Sequence, residues 1–437
     1  MWFNKSFSRL WIGIEPIGEE LDMTAEVVIM NKLGMSMAAD SAITSGIDGV
    51  PKVYHSANKL FPLSNNHPIG IMVYGAASFM EVPWEVIITS FRDYVGDKKL
   101  NNVTDYFDTF LRFLKEDSRF YQEDIEGIIV YRTFSDVLKR LVAKVEEQVE
   151  DDPSEIDDEK QVAKLLQREV EKQIKKFQNK ESLLSITYQP FEDKHFPVIE
   201  EVKEEYIDFP ITKTLSKKLC RLAFESVRSD YFSVGSTGFV MAGYGEEEIF
   251  PHLVNYRLEG FVLGKLKVKK LKEKQIDYQQ NNYSGTAVIE AFAQREMVDS
   301  FMVGVEPHME DTIFNIINRV LSEYPERIQK HLDVQFNENQ VIQLQELGKD
   351  VYDSIRDALD DYQNKNYYQP LLGIVRSLPK DELANMAEAL MNLTSFKRKV
   401  TRATESVGPP IDVAVISKSD GFVWVKKKSY YDQDLNR

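Results

Sequence analysis

The chain is expected to be an α+β protein in which two sheets lie between helical layers. Three observations lead there. Short apolar runs bounded by turn residues crowd both ends of the chain, long stretches with helical periodicity fill the space between them, and the elements follow the order strands, helices, strands, helices, strands. At 437 residues the length allows about three domains, or a single α/β core that carries a large insertion.

Residues 24 to 80 are strand-rich. Val27 to Met30 and Met35 to Ala39 flank the turn Asn31-Lys32-Leu33-Gly34 and predict a hairpin. Lys59 to Leu63 and Ile69 to Tyr74 add two strands. After Pro83 the period changes: Trp84, Ile87, Ile88 and Phe91 recur at helical spacing, with Glu85 in the first turn where the helix dipole favours an acid.

The segment from about 100 to 230 is the most helical and most charged. Val137, Leu138, Leu141, Val142, Val145 and Val149 share one helical face after Ser135, and Val162, Leu165, Leu166, Val170, Ile174 and Phe177 repeat the pattern. An acidic turn from Glu150 to Glu155 separates them, so a helical hairpin packed on the main domain is expected, with an arm or lid as the alternative; the solvated acidic tip favours a pair that projects as an arm. Strands resume at Gly238 to Gly245 and continue from Pro251 to Leu263. Lys265 to Lys270 alternates lysine with apolar residues, as an edge strand protected from further pairing does. Helices are expected over 287–303, 312–321, 341–358 and 380–399, and a last hairpin joins Ile411–Ile416 to Gly421–Val425 around Lys418-Ser419-Asp420.

Composition excludes several classes of function. A formal net charge of −16 argues against a nucleic-acid partner, since phosphate binding relies on a surplus of Lys and Arg. The single cysteine, Cys220, cannot form an internal disulfide, which suggests a reducing, cytoplasmic setting. Six histidines lie far apart without zinc-ligand spacing, so neither a metal nor a cofactor is expected. Residues 1–23 hold only a short apolar stretch around Leu10 to Ile14, too short for a signal segment with its cleavage site or for a membrane span. They are expected to be a leader, a propeptide or a mis-assigned start. Gly18-Glu19-Glu20 can be encoded by a purine-rich stretch resembling a bacterial ribosome-binding sequence just before Met23. A start at Met23, followed by removal of that methionine in front of a small residue, leaves Thr24 with a free α-amino group beside its own hydroxyl. That pair is a nucleophile and a base on one residue.

The residues Thr24, Ala38-Ala39-Asp40-Ser41 with Thr44, Ser56 to Leu63, and Tyr74-Gly75-Ala76-Ala77 together resemble the front of a proteasome β subunit, including the peptidase ring of the bacterial two-component ATP-dependent protease. The sixteen-residue interval from Thr24 to Asp40 is the specific one. Phe239 to Gly245 resembles the family's apolar strand ending in a Gly-Tyr turn, and Ser406-Val407-Gly408 with the strands after it resembles the family's closing segment.

The resemblance implies a four-layer αββα sandwich of the N-terminal-nucleophile (Ntn) hydrolases. Residues 24–99 then form the first half of the core, 100–235 a large helical insertion, and 236–437 the second half with additional helices. It further implies Thr24 as nucleophile, Asp40 holding Lys59 as an ammonium that eases alkoxide formation, and the N–H of Gly75 as oxyanion donor, worth about 3 kcal/mol of barrier. Ile43, Ala57, Val73 and Ala77 fall at its specificity pocket, which predicts an apolar side chain beside the scissile bond. The free amine, with a pKa near ~8, is the base.

The departures are specific too. The family's Ser-Gly-Ser segment should fall near Ile289 to Gln294, where no serine stands, and the Asp before its closing segment has no match beyond Glu405 or Ser406. Two functions follow: a threonine hydrolase for peptides or smaller amides, or a catalytically decayed scaffold of the same fold that binds a partner. An ATP-dependent unfoldase or other protein is the implied partner, no membrane is, and self-assembly is implied as well. The expected arm favours a monomer or small oligomer over a closed ring.

Overall fold

The computed structural model describes residues 24–47, 50–151, 159–278, 285–401 and 408–429. The strands are β1 (Ala25–Asn31), β2 (Gly34–Ala39), β3 (Ile43–Ile47), β4 (Val50–Tyr54), β5 (Leu60–Ser64), β6 (His67–Gly75), β7 (Ser78–Phe79) and β8 (Val82–Pro83). Six helices follow: α1 (Trp84–Val95), α2 (Val103–Glu116), α3 (Glu123–Asp151), α4 (Glu159–Gln178), α5 (Tyr188–Tyr206) and α6 (Lys213–Arg228). Then come β9 (Thr237–Gly243), β10 (His252–Val262), β11 (Lys265–Gln275) and β12 (Ala287–Ala293). The chain continues through α7 (Glu296–Val303), α8 (Pro307–Leu332), α9 (Glu338–Gln363), α10 (Gln369–Val375) and α11 (Lys380–Val400) to the hairpin β13 (Asp412–Ser417) and β14 (Gly421–Lys426). The fold is thus mixed α+β with two five-stranded sheets, in the orders β12-β1-β2-β13-β14 and β11-β10-β9-β6-β5.

The chain divides into two compact units, and β6 carries it from one to the other. The Thr24 unit takes the described residues of Met23–Gly70, Gly243–His252 and Lys274–Arg437. Its sheet is antiparallel along β12-β1-β2-β13-β14. Period-two alternation separates the faces of that sheet. Ala25, Val27, Ile29, Ala38, Ile289, Ala291, Val413 and Val415 pack with Leu372, Val375, Leu383, Ala387, Leu390 and Met391 of α10 and α11. Asn31 fastens the two layers, since its side-chain amide donates to the carbonyls of Val375 (2.9 Å) and Leu378 (2.8 Å) and so meets the end of α10. Glu26, Val28 and Met30 alternate to the other face, with Met37 and Ile416. There Gly70 of β6 comes so close that a Cβ would meet Met37 Sδ at 2.6 Å and Ile416 Cδ1 at 2.8 Å. Within this unit a helical layer, a sheet and the start of a second sheet therefore stack in that order.

The helical unit comprises Ile71–Ala242 and Leu253–Glu273. Trp84 and Phe91 of α1, Phe110 of α2 and Phe239 of β9 form its aromatic centre, with Phe110 stacked on Phe239 at 4.5 Å between centroids. Gly238 lies under the Tyr74 ring, whose Cζ would stand 1.9 Å from a Cβ. Glu126 of α3 is buried and accepts hydrogen bonds from His195 Nε2 (3.0 Å), Lys194 Nζ (2.9 Å), Tyr121 Oη (3.0 Å) and the Leu263 N–H (2.6 Å). Burial alone raises its pKa, but the four donors outweigh burial and hold the carboxyl at about 2. Cys220 is buried in α6, and burial pushes its thiol up to about 11.

Three expectations need correction. Residues 287–293 form a strand, β12, and only Glu296–Val303 is helical. Ala-Val-Ile-Glu-Ala-Phe-Ala reads equally as either element, and pairing along the whole of β1 decides it. The helix expected after Ser135 begins at Glu123. The pair α3 and α4 does not project as a lone arm, because both pack with α5 and α6 in one bundle; the acidic tip at 152–158 lies outside the described residues. The hairpin β3–β4 was not foreseen. The edge position of the lysine-rich strand, β11, agrees with expectation.

Candidate functional site

Thr24 enters the site because β1 begins immediately after it and is paired on both sides. Ala25 faces Ala293 of β12, and Glu26 faces Ala39 of β2 and Phe292 of β12. The Thr24 carbonyl accepts from the Gln294 N–H at 3.0 Å, which extends the β12 ladder to this residue. Thr24 is buried, and its hydroxyl donates to Glu26 Oε2 at 3.3 Å. Ala293, beside it, holds φ at 58°. A left-handed conformation in a residue with a Cβ is strained, and such strain gathers at functional sites.

Asp40 stands where β2 ends. Its Oδ1 accepts from the Ala25 N–H (3.1 Å) and from Lys59 Nζ (2.6 Å), and its Oδ2 accepts from the N–H groups of Ala42 (2.9 Å) and Gly408 (3.4 Å). The pair is nearly dry, with the Lys59 side chain 7% exposed and that of Asp40 0%. One carboxylate thereby ties the lysine, the residue after Thr24 and the segment before β13 to a single point. Lys59 reaches it through the link from β4 to β5, which the Ala57 N–H secures by donating to the Ser41 carbonyl at 3.1 Å. Gly408 lies close under the His55 ring, where a Cβ would come within 2.6 Å of it.

Thr24, Asp40, Lys59 and Ala57 are thus gathered in the Thr24 unit, with the backbone of Ile43 in β3 opposite Tyr54. Gly75, Val73 and Ala77 belong to the helical unit. Gly75 ends β6 with φ at 81°, and a Cβ there would meet the Ser236 carbonyl oxygen at 2.7 Å, so both conformation and space demand glycine. The neighbouring Ala76 N–H donates to that same carbonyl at 3.1 Å. Glu405 and Ser406 lie outside the described residues. Sequence reasoning missed Glu26; the available signal was an acid two residues from Thr24 in an otherwise apolar strand.

Among the described residues no group of three or more His, Cys, Asp or Glu is gathered as a metal site, and no helix is long and apolar enough to cross a membrane. No family model and no curated protein matches the chain. Among solved structures it is similar to a Gly-1 mutant of Anbu from Hyphomicrobium sp. strain MC1, at 9% identity and a TM-score of 0.30, with 94% of this chain and 90% of that one covered. A second structure of Anbu from that strain is similar at 8% identity and a TM-score of 0.29, covering 94% of this chain and 91% of that one. Anbu, an ancestral β-subunit, from Yersinia bercovieri is similar at 10% identity and a TM-score of 0.28, with 93% and 89% covered. These likenesses are distant.

Proposed function

We propose that the protein is a threonine hydrolase of the N-terminal-nucleophile type, acting on peptides or smaller amides, with the four-layer αββα core of that class. The observation that carries the proposal is the dry Asp40–Lys59 pair at 2.6 Å, whose carboxylate also binds the N–H of the residue after Thr24. Burying a lysine and an aspartate costs more than their attraction returns unless every donor and lone pair is used. Asp40 also serves the fold by binding three backbone N–H groups, and the buried lysine held against it is what nucleophilic catalysis by Thr24 would use.

In this reading the Thr24 hydroxyl attacks the amide carbonyl and its proton passes to the free α-amine. The C–N bond breaks as that proton moves on to the leaving nitrogen, leaving an ester on Thr24. Water, deprotonated by the same amine, then releases the acid. The Lys59 ammonium lowers the cost of the developing alkoxide. A catalytically decayed scaffold is the competing reading, and the complete Asp40–Lys59 arrangement argues against it.

The test is hydrolysis of a peptide library carrying apolar, acidic or basic residues before the scissile bond, by protein whose chain begins at Thr24. Thr24→Ala is expected to abolish turnover, while Thr24→Ser, which keeps hydroxyl and amine, retains much of it. Unchanged turnover by Thr24→Ala would exclude this nucleophile.

A further inference from the structure

We propose that the hairpin of α8 and α9 is a dimer interface, whose outer face pairs with the same face of a second copy to make an antiparallel four-helix bundle. The inference is independent of the chemistry at Thr24. Contacts between the two helices define the inner face of the hairpin. Phe314 meets Tyr352 edge-on at 5.6 Å between centroids and lies under the Arg356 guanidinium. Leu321 faces Gly348, where a Cβ would stand 3.6 Å from it, and the Gln363 amide donates to Glu310 Oε2 at 3.1 Å.

A second apolar stripe runs along each helix one residue earlier. On α8 it is Met309, Ile313, Ile316, Val320 and Tyr324, at the three- and four-residue spacing of a helix seam. On α9 it is Leu347, Val351, Ile355 and Tyr362. All nine are exposed, from 39% at Val351 to 60% at Met309. One residue earlier is a rotation of about 100° about each helix axis. Because the two helices run in opposite directions, these rotations are opposite in space, and both stripes emerge on the same side of the hairpin as one face.

Size, shape and charge fit this face to a second copy. Nine large apolar side chains about half exposed exceed what a soluble monomer usually shows, and they suit an interface of the standard size, roughly 800 Å² per partner. Two seams side by side take two helices, and an identical hairpin supplies them in an isologous contact that closes at two copies. The rims match as well. Leu321 facing Gly348 sets the level of the helices, so Arg319 and Asp350 stand level with one another on opposite outer rims, both exposed. A two-fold axis parallel to the helices carries α8 of one copy under α9 of the other without changing level, which brings each Arg319 to the Asp350 of the other copy. Glu346, Asp357 and Asp361 make the rest of the α9 rim acidic, while Glu323 of the facing α8 rim is matched by Arg327.

Sedimentation equilibrium of the full chain, from nanomolar to high micromolar concentration, is the test. A reversible two-chain species is expected. Ile316→Glu places a carboxylate in the seam of each copy and should raise the dissociation constant at least about a hundredfold. Arg319→Glu and Asp350→Arg should each weaken pairing about tenfold, and the two together should restore it, because the reversed charges meet again across the two-fold axis. Repair cannot be internal, since the two residues lie on opposite rims of one hairpin. All three side chains are exposed in the single chain, so thermal unfolding of the dilute variants should match the parent; should Ile316→Glu not fold, the charge reversals alone decide. A single-chain mass at every concentration overturns the proposal and leaves the face to a different protein. A dimer that Ile316→Glu leaves intact overturns it too, as does a double reversal that binds no more tightly than either single one.

Discussion

A carboxylate buried as fully as Asp40 persists because four donors converge on it: three backbone N–H groups and the Lys59 ammonium. Removing the ammonium strands a charge in a dry site, which costs about 3–5 kcal/mol. Lys59→Ala is therefore expected to lower the urea midpoint sharply as well as activity, whereas the double variant Asp40→Asn/Lys59→Met should recover much of the stability and none of the activity. Recovery of activity in the double variant would show that the pair serves only the fold. Lys59→Arg is expected to fail in catalysis, since a planar guanidinium does not reproduce the compact ammonium that meets Asp40 at 2.6 Å. At this scale the proximity of the candidate residues was largely legible in the sequence. Thr24, Asp40 and Lys59 carry their chemistry in residue type and interval, and the structure brings them into one unit. Glu26 was not legible, because one acid in an apolar strand looks like an accident until the fold places it against the Thr24 hydroxyl.

Elements differ in how much of their stability lies within themselves. The bundle of α3 to α6 is centred on buried side chains, with Glu126 at its join to the Leu263 backbone. The carboxyl of Glu126 is held at about 2 against an ordinary 4.5. A lowered folded value means that its stabilisation is complete above about 4.5 and is lost as pH falls from there toward about 2, amounting to something on the order of 3 kcal/mol. Urea unfolding of Glu126→Gln against the parent should show a gap of that size at pH 6 that closes as pH approaches 2. A gap independent of pH would mean that the charge of Glu126 contributes nothing.

The hairpin of α8 and α9 is the opposite case. These long helices bury only Phe314, Pro325 and Gln363, and leave Ile313, Ile316, Val320, Tyr324, Val351 and Ile355 exposed. With few buried contacts in the single chain, its amides should exchange with deuterium well ahead of those in β1 and β2 in dilute protein. Protection equal to that of β1 would refute this. Periodicity revealed both helices, since it is a local property. It could not reveal β12, whose identity depends on a partner strand more than 250 residues earlier in the chain, nor the β3–β4 hairpin, whose strands carry Gly46 and Pro51 and break the usual pattern.

At the scale of the whole molecule, activity should depend on where the chain begins. In the proposed chemistry the only base is the α-amine of Thr24, and a peptide bond to any preceding residue turns that amine into an amide, which is neither basic nor able to pass a proton to the leaving nitrogen. The structure leaves the Asp40–Lys59 pair independent of that change, because its contacts run to Ala25, Ala42 and Gly408 and not to the Thr24 nitrogen. Two proteins should therefore share one fold and differ in function: one released from a cleavable fusion to begin at Thr24, the other beginning with a single glycine before it. Their thermal unfolding should coincide, while the extended protein loses a general-base contribution of about 10²–10⁴ in rate. The native protein, by the same reasoning, should have the intact mass of a chain without residues 1–23. Equal turnover by the two engineered forms, or an active native species that retains Trp2, would remove the amine from the mechanism.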